Sequence, residues 1–99
     1  MKGKLFTDRF RRIAVAIHEP KRVALQYIRC DKMMPMMARM QAQRELAALP
    51  VSSCPLRLVR RCTKNGRGHG VIPEYGIGRH AFREEALAGR ILGVGKACW

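Results

Sequence analysis

Ninety-nine residues suit one small domain, and 20 Lys and Arg against 7 Asp and Glu leave a formal net charge of +13 with a pI near 10.9. So short and basic a chain has little room for an enclosed substrate pocket, and it contains no run of about eighteen apolar residues that could cross a membrane. Even with every acid paired, 13 cations stay uncompensated, so a polyanion is the expected partner.

The charge is spread along the chain, with 11 basic and 4 acidic residues in 1–50 and 9 and 3 in 51–99. That distribution predicts contact along the whole length rather than through one basic tail. Cys30, Cys54, Cys62 and Cys98 are irregularly spaced and no secretory signal precedes them, which predicts reduced thiols inside a cell or organelle.

Leu5, Phe6, Phe10, Ile13, Ala14 and Ile17 recur at helical spacing, with Arg9, Arg11 and Arg12 beside them. This predicts an amphipathic helix that ends at Pro20. Such a segment could be a mitochondrial presequence, but the absence of Ser and the interrupting Asp8 favour an arm of the mature protein lying on RNA. Residues 21–34 read as a second helix, with Val23, Ala24, Tyr27 and Ile28 on one side and Arg22, Arg29 and Lys32 on the other. Pro35 is suited to begin a third, running to Ala48 before Pro50. The methionines Met33, Met34, Met36, Met37 and Met40 have no histidine among them, so core or partner packing outweighs a soft-metal site.

Ser52 to Pro55 reads as a loop and Leu56 to Val59 as an extended approach to the glycine region. Five glycines and Pro73 between Gly66 and Gly78 predict a stretch without regular structure. Arg79 to Ala88 reads as a helix with Phe82, Ala86 and Leu87 on one stripe and Gly89 as its left-handed stop. Gly78 would cap its start weakly. Ile91, Leu92 and Val94 give the tail an apolar anchor. The expected fold is small, α-rich and irregular, with extended N-terminal helices, a glycine-rich loop, a short C-terminal helix and an extended tail. Residues 1–50 form a basic helical arm and 51–99 a C-terminal module, a single domain overall.

Arginine's flat five-donor fork suits phosphate and stacks on bases, so a glycine loop ringed by arginines points to RNA. Arg57, Arg60, Arg61, Arg67, Arg79 and Arg83 are the expected principal contacts. Lys64 and Lys96 add point charges, and His69 joins them on the loop. Trp99 either covers the apolar tail or stacks on a nucleobase. The loop Gly66-Arg67-Gly68-His69-Gly70 lacks the Lys-Ser/Thr ending of a nucleotide-binding phosphate loop. Cys62 with His69 or His80 lacks an orienting group for catalysis, and Glu84 and Glu85 are adjacent and so face different ways on a helix. Glu84 is expected to brace Arg79 or Arg83 instead of transferring protons. No enzyme activity and no cofactor are expected.

The order Arg61-Cys62, Gly66-Arg67, Gly70, Tyr75-Gly76, Arg79, Phe82-Arg83-Glu84, Ala86, Gly89, Gly93 and Lys96-Ala97-Cys98-Trp99 resembles the small-subunit ribosomal protein fourteen family. The likeness covers roughly the last 45 residues and extends plausibly to the run Leu46 to Pro50. The resemblance implies a structural protein of the small-subunit head near the decoding region, in contact with small-subunit rRNA and neighbouring head proteins. One branch of that family binds zinc, with ligands falling at positions 62, 65, 78 and 81. Here those positions hold Cys62, Asn65, Gly78 and Ala81, which resembles the zinc-free branch. A rescue site from Cys54, Cys62, Cys98, His69 and His80 has no regular ligand spacing. Cys62 is then read as a small buried hydrophobe beneath the loop. Arg60, Gly78, Leu92 and Pro73-Glu74 depart from the family's usual Asn, Ser, Pro and basic pair. Such drift implies an organellar ribosome, mitochondrial before plastid or bacterial. The competing reading is a free-standing nucleic-acid-binding or regulatory protein, with or without zinc.

Overall fold

A computed structural model describes residues 2–99. In chain order it contains α1 (Lys2–Cys30), α2 (Met36–Ala48), two single-turn 3-10 helices at Val51–Ser53 and Pro55–Arg57, β1 (Val71–Ile72), β2 (Ile77–Gly78) and α3 (Arg79–Leu87). The fold is α-rich and irregular, as expected.

The first two predicted helices are one. α1 runs unbroken through Pro20 and ends at Cys30, so proline does not terminate it. Proline inside a helix forfeits a backbone hydrogen bond at a cost of about 3 kcal/mol. Tertiary contacts immediately downstream offset that cost: Lys21 faces Glu45 at 3.7 Å, and the Arg22 guanidinium donates to the Ser53 carbonyl at 2.8 Å and its hydroxyl at 3.0 Å. Leu25 is buried one turn later. Asp8 is accommodated on the helix as a buried carboxylate that accepts from Arg12 Nε one turn on.

α2 begins at Met36 directly after Pro35, as the sequence predicts. The turn before it is tied by the Met33 N–H donating to Asp31 Oδ1. Arg29 then reaches Gln43, and Arg39 Nε donates back to the Arg29 carbonyl, so α2 returns antiparallel along the end of α1. The methionines are exposed, from Met34 at 40% to Met33 at 92%, and so are not core. Phe6, Phe10, Ile13 and Ile17 also stand exposed at helical spacing on α1.

Contacts divide the chain into two compact units. One is Asp8–Leu58, holding the α1–α2 hairpin and the two 3-10 turns. The other joins Val59–Trp99 to the first residues of α1, up to Thr7. Its core is Cys62, Ile77 and Ala81, with Val71, Phe82 and Ile91 packed against them.

Within Gly66–Gly78 the structure corrects the expectation of irregularity: β1 and β2 pair antiparallel, Val71 with Gly78 and Ile72 with Ile77. The ladder is only two residues per strand, too short for a period-2 pattern to be read amid the glycines. α3 ends where Gly89 predicts. Gly89 has φ +75°, its N–H donates to the Ala86 carbonyl, and the Arg90 N–H donates to that of Glu85. These are the two bonds of a Schellman stop. Of the predicted stripe, Phe82 packs inward while Leu87 is 62% exposed. Ile91 anchors the tail, whereas Leu92 and Trp99 are fully exposed.

Candidate nucleic-acid interface

The loop after Val59 is wound around Cys62. The Cys62 N–H donates to the Arg67 carbonyl and the Gly66 N–H to that of Cys62, both at 2.8 Å. The Asn65 N–H points at Cys62 Sγ at 3.5 Å. Arg61 Nη1 donates to the Gly66 carbonyl at 3.0 Å, so this arginine braces the turn rather than standing free in solvent. Where the hairpin meets α3, the Arg79 N–H donates to the Gly70 carbonyl at 2.9 Å, and the stem of Arg79 lies against Gly70. Gly70 has φ +63°, so a side chain there would be strained although it would meet Arg79 only at ordinary contact distance.

These bonds shape a cleft of about 590 Å³. Arg61, Arg67, His69 and Arg79, four of the expected contacts, line it together. Lys4 and His80 also line it and were missed from sequence. His80 follows Arg79 on the first turn of α3, a placement the helical pattern could have shown. Lys4 carried no such signal, because it reaches this unit only through tertiary folding. Among the described residues no carboxylate lines the cleft. A second groove, about 430 Å³, gathers Arg79, Arg83 and Lys96 around Phe82, Leu87 and Val94.

The remaining expected contacts lie elsewhere. Arg57 ends the second 3-10 turn in the other unit, and Arg60 and Trp99 are exposed outside both hollows. Lys64 forms an ion pair with Glu85, which also accepts from Arg90 Nη1 at 2.9 Å. Glu85, rather than the expected Glu84, is the bracing acid. The Lys64 hydrogen bond is the main reason its carboxyl titrates below the usual carboxylate range, with Arg90 adding to it. A depressed carboxyl contributes stability above its unfolded value, near 4.3, and loses it as pH falls through the lower folded value. Glu85→Gln should therefore flatten the acid limb of an unfolding-midpoint-versus-pH profile below about pH 4, read by circular dichroism.

Cys62 is fully buried, as expected of it. Burial pushes its thiol up, but the backbone N–H groups of Asn65, Gly78 and Lys64 and the Lys64 charge outweigh that and hold it below the ordinary thiol value. Positions 62, 65, 78 and 81 do converge: Asn65 bonds the sulfur, Ala81 packs on it, and a Cβ on Gly78 would stand 3.6 Å from Cys62 Cβ. Three of the four lack a metal-binding side chain, and the contact is filled by sulfur and packed carbon. Among the described residues no cluster of three or more metal-ligating side chains occurs. The 3.6 Å spacing instead matches a disulfide, whose Cβ atoms lie about 3.5–4.5 Å apart. Gly78→Cys should cross-link to Cys62 under oxidation and raise stability by about 3 kcal/mol, with thiol titration after unfolding showing the lost pair.

Residues 45–98 match the family described as "Ribosomal protein S14p/S29e". The chain is 37% identical over 99 residues to the small ribosomal subunit protein uS14m of Schizosaccharomyces pombe, covering all of this chain and 94% of that protein. It is 39% identical over 98 residues to uS14A of Myxococcus xanthus, covering 99% and 97%. It is also 34% identical over 99 residues to uS14m of Marchantia polymorpha, covering both chains completely.

Proposed function

The chain belongs to the ribosomal protein S14p/S29e family, and on that premise we propose that it is a structural constituent of a small ribosomal subunit, stapling converging rRNA strands together. The observation that carries this reading is the cleft itself. Three arginine-bearing elements, the Cys62 turn, the glycine loop and the start of α3, meet there with no opposing acid among the described residues. Cations so placed need anions from outside the chain, and rRNA phosphate supplies them at high density. The role is structural, and no chemical step is assigned to any residue.

Residues 1–50 act as the basic helical arm and 51–99 as the family's module; the family match at 45–98 covers that module, while the compact units divide after Leu58 instead and join the residues up to Thr7 to the second part. The position taken up is the subunit head near the decoding region. The exposed Phe6, Phe10, Ile13 and Ile17 and the exposed methionines of α2 are the surfaces offered to rRNA and neighbouring head proteins. The compartment is the mitochondrial ribosome, supported by relatives carrying the mitochondrial designation uS14m and by the loss of the basic pair at Pro73-Glu74. Sucrose-gradient sedimentation with mass spectrometry tests the assignment. One copy per small subunit, retained through a moderate salt wash, is expected. Recovery only in the slow fractions as free protein would overturn it.

A further inference from the structure

We propose that the cleft beside Cys62 seats one unpaired nucleotide of the RNA, its base enclosed and its phosphates held at the rim; this rests on the rRNA-binding reading above. The inference comes from the shape and the lining. A phosphate ridge on a duplex is convex and meets a protein from outside, where exposed cations such as Arg60 or Arg83 suffice. This hollow is concave, and about 590 Å³ falls within the roughly 300–1,000 Å³ typical of small-ligand pockets.

Its chemistry is divided in the way a nucleotide is divided. Val59 supplies apolar surface, and the buried Cys62 and Ala81 close the floor behind it. Two imidazoles, His69 and His80, and two guanidiniums, Arg67 and Arg79, are flat groups exposed at the same hollow. Bases stack on planes of both kinds. Glycines form much of the wall, so backbone polar groups come within reach of a base edge. With no carboxylate in the lining, nothing repels the flanking phosphates. A simple phosphate would leave the apolar floor and the imidazoles unused.

The test uses the full chain and three short RNA hairpins: one with a single bulged adenosine, one with an abasic residue at the bulge, and one fully paired. Removing the base should weaken binding roughly 10- to 100-fold while leaving the salt dependence unchanged, because the phosphates remain. The paired hairpin should bind no better than the abasic one. In the double variant His69→Ala/His80→Ala the preference for the bulged base should collapse, again with the salt dependence retained. Both histidines are exposed, so the fold is not at stake. Equal binding of all three hairpins with a steep salt dependence would overturn the enclosed nucleotide and leave phosphate stapling intact. An undiminished preference in the double variant would also overturn it, by placing the base elsewhere. Absence of salt-dependent binding to any of the three would bring down the rRNA-binding reading itself.

Discussion

Replacing Arg67 and Arg79 together by glutamine should weaken binding to a small-subunit rRNA fragment by on the order of 10²- to 10⁴-fold. Each hydrogen bond to a charged group contributes roughly 1.5–3 kcal/mol, and both arginines line the cleft without an ion-pair partner among the described residues. Glutamine keeps part of the Arg79 stem that lies on Gly70 and removes the charge. The slope of log K against log salt should fall by about 2, one for each lost phosphate contact. Lys64→Gln should change that slope less, because the Lys64 ammonium is already engaged by Glu85. Fluorescence anisotropy over a salt series measures both. A Lys64 effect equal to that of Arg67 would show that composition alone, rather than the fold, selects the contacts.

Ile77→Ala should destabilise the Val59–Trp99 unit by about 2–5 kcal/mol, the usual cost of emptying a buried aliphatic site. Ile77 is one of three residues in that core, and its strand register against Ile72 fixes the hairpin that presents Gly70 to Arg79. So small a core has few contacts to redistribute, and domain stability as a whole is only about 5–15 kcal/mol. Urea unfolding followed by circular dichroism reads the loss. RNA affinity should fall with it, although no cation has been touched. Preserved RNA affinity in a variant whose hairpin has melted would mean that the arginines act as a flexible basic tail.

The sequence made some of this legible because single residues carry local signals. Gly89 marked the end of α3 by its left-handed conformation, and Pro35 marked the start of α2. Cys62 was readable as core once Asn65, Gly78 and Ala81 were seen to leave it without fellow metal ligands. Pro20 misled, because its penalty is local while its compensation comes from Ser53 and Glu45, more than twenty residues away. The ion pair of Lys64 was hidden for the same reason: nothing near it announces that Glu85 will engage it. In the arginine cluster, Arg67 and Arg79 were identifiable by type. That Arg61 would brace Gly66, and that Lys4 would join the cleft, depended on tertiary closure.

The sharing of one unit between the chain's first residues and its last forty has a consequence for biogenesis. Asp8–Leu58 is contiguous and can order as soon as it leaves the exit tunnel, since vectorial synthesis lets early segments fold first. Lys4 must wait for its cleft until the lining residues from Val59 to Ala81 have been translated. The cleft is thus assembled only after the residues through Ala81 have been made, and the nascent polypeptide cannot present it to RNA before then.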